Sequence, residues 1–150
     1  MQKKPVIQYP DETVNVSVSL KRGAQISRKD VIRLLNFLSI ELKVVLADIS
    51  VSIVSRKKLL EINKKFLQHN YETDIITFSY GNSKKRLEGE LLISFEDAVE
   101  NANKYSVEIK NEFIRLIVHG ILHLNGYSDA DAKSKKTMFK LQETLIKKFI

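Results

Sequence analysis

Strands interleaved with helices, two of the strands as an antiparallel pair, predict an α/β (α+β) fold. The expected form is a single compact domain in which one mixed β-sheet packs against helices, with a metal site on a central helix. Three observations carry this reading. Val14 to Leu20 and Ile49 to Val54 alternate apolar and polar residues with period two, as half-buried strands do. Two β-rich runs, Asp74 to Tyr80 and Glu90 to Ser94, flank the turn signal Gly81-Asn82 and read as a hairpin. A long apolar helical stretch then leads into His119 and His123 and stops at Asn125-Gly126.

The elements follow in chain order. Residues 5–9 and 13–19 read as strands. Ser27 is placed to cap a helix over about 28–43, with Val31, Leu34, Leu35, Phe37, Leu38 and Leu42 on its buried side. After the strand at 49–54, Ser55 starts a basic helix through Leu59, Leu60, Ile62 and Asn63 to about Lys65. Beyond the hairpin a helix covers roughly 95–104, Ser106 caps the long helix that ends at Leu124, and a lysine-rich helix runs from about 130 to 148 with Asp131 as its cap. No repeat, linker or low-complexity segment divides the chain, so residues 1–150 are expected to form one domain.

Composition narrows the function classes. Twenty-five basic residues against 18 acidic ones leave a net charge of +7, which favours polyanionic partners, nucleic acid first among them. The lysines cluster at Arg56-Lys57-Lys58, Lys64-Lys65, Lys84-Lys85-Arg86 and Lys133 to Lys140, although solvated surface lysines would look the same. The chain has no cysteine, which excludes disulfides, thiol chemistry and thiolate-bound zinc. Neither a signal-peptide stretch at Met1 to Pro5 nor a run of membrane-spanning length is visible, so a soluble, cytoplasmic protein without membrane association is expected.

The chemistry concentrates in His119-Gly120-Ile121-Leu122-His123-Leu124-Asn125-Gly126-Tyr127-Ser128-Asp129. Residues four apart on a helix stand roughly 5–6 Å apart at Cβ, so two imidazoles can share one ion. Gly126 lets the chain reverse, and Asp129 can fold back as a third ligand, leaving a position open for water and substrate. The flanking Val118, Ile121, Leu122 and Leu124 are apolar, and histidines on a largely buried helix need partners. Zinc proteases with this histidine spacing carry a glutamate base directly after the first histidine. Here that position is Gly120, which argues against peptide hydrolysis and points to close packing or close approach of a ligand.

The same residues resemble the signature of the YbeY endoribonucleases, or rRNA maturation factors: His-Gly-x-Leu-His-Leu-x-Gly-Tyr-Asp-His. The chain agrees through Tyr127 and then diverges at Ser128 and Asp129. A second family element, Leu-Asn-x-x-Tyr-Arg followed by Thr-Asp-Val-Leu-Ser-Phe, is similar to Ile62-Asn63-Lys64-Lys65-Phe66-Leu67 and Thr73-Asp74-Ile75-Ile76-Thr77-Phe78. A third, Gly-Asp-Ile-x-Ile-Ser, is similar to Gly89-Glu90-Leu91-Leu92-Ile93-Ser94. The three occur in the family's order, and the resemblance covers roughly residues 49–130.

The resemblance implies a metal-dependent, single-strand-specific endoribonuclease that acts in maturation of the small-subunit (16S) rRNA 3′ end and in ribosome quality control. It implies single-stranded RNA as substrate and a metal held in a basic cleft, with ribosomal proteins as further partners. His119, His123 and Asp129 then serve as metal ligands and catalytic residues, with Asp129 in place of the family's third histidine. Aspartate ligates zinc, but its charge makes the ion a weaker Lewis acid and widens the choice to Mn, Fe or Ni. Asp131 and His69 are rival ligands.

Leu67 replaces the family's arginine, whose guanidinium would suit a phosphate, and Lys64, Lys65 or Arg115 would have to substitute. Glu112 reads either as a partner behind the metal ligands or as a helix-face pair with Arg115. Asn63, Thr73 and Asp74 read either as cleft residues or as turn and cap chemistry, and Tyr127 either as a base-stacking or a packing residue. The alternatives to a nuclease are a non-catalytic, ribosome-associated RNA-binding assembly factor and, with less support, a metallohydrolase or peptidase of another substrate.

Overall fold

The computed structural model describes residues 16–67 and 73–150. Among them, four strands and five helices follow one another as β1 (Val16–Ser19), α1 (Arg28–Leu42), β2 (Val45–Val54), α2 (Arg56–Leu67), β3 (Ile75–Ser79), β4 (Arg86–Ser94), α3 (Phe95–Tyr105), α4 (Ile109–Leu124) and α5 (Ala132–Phe149). The strands form one mixed sheet in the order β1-β2-β4-β3. β2 lies parallel to both β1 and β4, while β3 pairs antiparallel with β4 at the sheet edge. This is the expected α+β architecture. The strand read at residues 5–9, and the first residues of the one read at 13–19, lie outside the described residues.

The local chemistry explains most boundaries. Ser27 and Asp30 exchange hydrogen bonds with each other's backbone N–H at 3.0 Å, a complete capping box at the start of α1. The Asp131 carboxylate accepts from the Ser134 N–H at 2.8 Å and caps α5 as expected. β2 begins earlier than the period-two run because its pairing with β4 slips between Leu46 and Asp48. That irregularity changes the parity of the strand, so Leu46 and Ile49 both face the core although they are three residues apart.

One expected cap is corrected. Ser106 does not start α4. It ends α3 in the left-handed conformation, φ 56° and ψ 45°, and its backbone N–H turns back to the carbonyls of Ala102 and Asn103. An N-cap needs extended backbone, which a residue committed to a left-handed helix end cannot adopt. The extended N-cap position of α4 falls to Glu108, whose side chain makes no capping hydrogen bond.

The central element is α4. Phe113, Ile117, Val118, Ile121 and Leu122 are fully buried in the main core with Ile49, Val51, Leu91 and Ile93 of the sheet. A Cβ on Gly120 would stand 2.6 Å from Leu91 Cδ2 and 3.2 Å from Ile75 Cδ1, so glycine is what allows this helix to lie against the β3–β4 hairpin. Of the two readings of Gly120, close packing is the observed one. Gly89 on β4 serves the same approach, since a Cβ there would meet the Phe78 carbonyl oxygen at 2.5 Å and Leu124 at 2.7 Å. Together the two glycines bring the histidine-bearing end of α4 to the sheet edge.

Candidate metal centre

His119 and His123 project from the C-terminal turns of α4, both half-buried, with their rings edge to face and centroids 4.6 Å apart. Asn125 and Gly126 (φ 102°) then reverse the chain. The turn returns the exposed Asp129 to the pair, its Oδ2 standing 3.6 Å from His123 Nε2. One ligand atom from each of His119, His123 and Asp129 lies within 4.8 Å of the others. The two Nε2 atoms are 3.1 Å apart. Donors at about 2.0–2.1 Å around a tetrahedral ion are separated by about 3.3 Å, so these spacings suit a bound metal.

The hydrogen bonds behind the rings sharpen that fit. His123 Nδ1 lies 3.2 Å from the Tyr127 carbonyl oxygen, which can only accept, so the proton sits on Nδ1. His119 Nδ1 lies 2.8 Å from Gln142 Oε1, an amide orientation that lets Gln142 Nε2 face Glu143. In the tautomer that donates from Nδ1, each ring turns an Nε2 lone pair toward the other. Two lone pairs at 3.1 Å repel unless a proton or a cation stands between them. Burial, and next the neighbouring His119, hold the His123 pKa below its ordinary value, against the opposing pull of Asp129 and the Tyr127 carbonyl.

The three residues open onto a cleft of about 590 Å³, lined also by Thr73, Asp74, Ile75, Thr77, Ser79 and Leu124. Odd-numbered residues of β3 face this cleft because side chains alternate along a strand. Asp74 is braced from behind: Asn101 Nδ2 donates to its Oδ2 at 3.2 Å and to Glu112 Oε2 at 3.3 Å. Glu112 is buried, and burial raises its pKa. Its other oxygen lies 3.5 Å from Arg115 Nε. Of its two expected roles Glu112 fills the pairing with Arg115 and not that of a partner behind the histidines; it reaches the cleft only through the Asn101 it shares with Asp74.

Other expectations separate. Thr73 and Asp74 line the cleft, whereas Asn63 is buried close to Arg56, Leu59, Leu60 and Thr73. Tyr127 packs against the main core. Asp131 is occupied as a cap, and His69 lies outside the described residues. Arg115, one of the residues expected to take the place of the arginine that Leu67 replaces, is instead engaged by Glu112 and Glu143. Sequence reading did not anticipate Gln142 or Asn101. Gln142 carried a signal, being a polar residue in the buried stripe of α5 between Met138 and Leu145.

The model of the family described as Endoribonuclease YbeY matches residues 8–150. The chain belongs to that family. Among curated members, an endoribonuclease YbeY of Cytophaga hutchinsonii is 42% identical over 84 residues, 56% of this chain and 59% of its own length. One from Parabacteroides distasonis is 42% identical over 91 residues, covering 61% of this chain and 63% of its own length. These alignments span about six-tenths of the relatives' length. The solution structure of a Thermotoga maritima protein shares the fold, with a TM-score of 0.62 at 23% identity over 90% of this chain and 89% of its own.

Proposed function

We propose that this chain is a metal-dependent endoribonuclease that cleaves single-stranded RNA, with His119, His123 and Asp129 as the ligands of one divalent metal. The facing Nε2 atoms of His119 and His123, with both Nδ1 protons committed elsewhere, are the observation that carries the proposal. Two imidazoles and a carboxylate suit zinc with an open position, and Mn, Fe or Ni are compatible with the same donors. When bound, such an ion polarises a phosphoryl oxygen or lowers the pKa of a water. Gln142 and the Tyr127 carbonyl orient the rings. Asp74, steadied by Asn101, offers an acceptor for the proton of an attacking water or ribose hydroxyl, and Thr73, Thr77 and Ser79 offer hydroxyls to the phosphodiester.

Family membership supports RNA as the substrate, and the net charge of +7 agrees with a polyanion. On this reading the protein works in the cytoplasm as one domain, on the 3′ end of small-subunit rRNA and beside ribosomal proteins. No described helix is long and apolar enough to cross a membrane. A second reading, an RNA-binding assembly factor without turnover, is favoured by Leu67 together with the engagement of Arg115. Peptide hydrolysis has least support, because Gly120 stands where a zincin base would be.

The deciding assay compares wild type with His123→Ala on single-stranded rRNA carrying an unprocessed small-subunit 3′ end, with metal analysis of both. Cleavage lost together with the metal supports the nuclease. Equal residual cleavage in both assigns the activity to a contaminant and favours the assembly factor.

A further inference from the structure

β3 presents a second chemistry on the face opposite the cleft. Thr77 and Ser79 line the cleft, while Phe78 points the other way onto the small apolar cluster of Leu59, Ile76 and Leu92. Its ring lies edge to face with Phe66 of α2, centroids 6.5 Å apart at 86°. On the other side it stacks with Tyr80, centroids 6.3 Å apart and planes within 7°. Phe66 and Tyr80 are 61% and 66% exposed, so the row meets solvent at both ends. The Tyr80 hydroxyl donates to Glu90 Oε1 at 2.9 Å across the hairpin, which fixes the ring, and Lys65 Nζ stands 5.3 Å from the centre of the Phe66 ring.

We propose that Phe66, Phe78 and Tyr80 form a stacking platform for unpaired RNA bases next to the phosphodiester held in the cleft. This rests on the nuclease reading above. Every base has a π-face, so aligned rings beside cations bind single strands with little sequence preference. A duplex keeps its bases stacked within the helix and cannot offer them to the platform. β3 separates the two surfaces by the thickness of one edge strand, and its alternating side chains address backbone on one face and bases on the other. Lys65 supplies the charge that suits the adjoining phosphates and would repel a basic partner.

The test measures binding of a fluorescently labelled oligouridylate of about ten nucleotides, and of its abasic counterpart, to zinc-loaded protein. Wild type, His123→Ala and the double variant Phe66→Leu, Tyr80→Leu are compared. Leucine keeps the apolar bulk and removes the π-face, and both positions are exposed enough to leave the core intact. The platform predicts that wild type prefers the base-bearing strand about tenfold or more and that the double variant loses this preference while still binding zinc. Equal binding of the two strands by wild type overturns the platform, as does an unchanged preference in the double variant. If the double variant changes only self-association, the rings are a protein interface and the proposal fails. Retained cleavage with its loss in His123→Ala would leave the nuclease reading standing through any of these failures. Absence of RNA binding by wild type would remove both.

Discussion

The imidazoles of His119 and His123 face each other with their Nδ1 protons already committed, to Gln142 and to the Tyr127 carbonyl. This makes Gln142 a sensitive point away from the ligands themselves. Gln142→Leu keeps a buried side chain of similar size but frees the His119 tautomer, and such losses behind a ligand cost about 10–100-fold in metal affinity. Competition with a chelator should show that drop, and an unchanged affinity would mean that the ring is oriented by packing alone. Asp129 is tested by replacing it twice. Asp129→His should retain one metal through dialysis and Asp129→Ala should lose it, as measured by elemental analysis. The meeting of His119, His123 and Asp129 was legible in the sequence because helical spacing and a glycine stop determine local geometry. Gln142 and Asn101 were not, because their partners depend on how α5 and α3 dock on α4, which no local pattern reports.

At the scale of elements, the approach of α4 to the hairpin is set by missing side chains. Gly120→Ala gains about 1 kcal/mol of helix propensity, but it drives a methyl to 2.6 Å from Leu91, and overpacking of this kind costs about 1–3 kcal/mol. The net loss of up to about 2 kcal/mol should lower the melting temperature by up to roughly 8 °C in thermal unfolding. A variant that melts higher would show that Leu91 yields freely. Glu112 adds a pH signature. Its folded-state pKa is raised by burial, so its contribution to stability is greatest below the ordinary glutamate value of 4.5 and declines as pH rises through the higher folded value. Glu112→Gln mimics the protonated form. It should therefore melt higher than wild type near pH 8 and converge with it as the pH falls toward 4.5. A variant that melts lower at pH 8 would mean that the Arg115 pair outweighs burial. Element types were readable from period and caps, while boundaries were not wherever the backbone broke the pattern. The irregularity at Leu46–Asp48 hid the first half of β2, and the left-handed turn at Ser106 turned an expected start into an end.

For the molecule as a whole, the sheet order β1-β2-β4-β3 leaves β3 at the edge, with the candidate metal centre on one face and an aromatic row on the other. A net charge of +7 predicts that the logarithm of RNA affinity falls linearly with the logarithm of salt concentration, whereas the preference for base-bearing over abasic RNA should resist salt because stacking is not ionic. The binary pattern made the mixed sheet and its helices predictable. The meeting of Asp74 from one motif with His119 from another was one of two open readings, and local pattern could not decide it because it arises only when α4 seats on Gly89 and Gly120. Everything proposed about catalysis depends on one ion at His119, His123 and Asp129. The most direct measurement is calorimetric titration of zinc into metal-stripped wild type and His123→Ala at neutral pH. One equivalent taken up saturably by wild type and not by the variant is the predicted result. Absence of saturable binding in wild type, or equal binding in both, would contradict it.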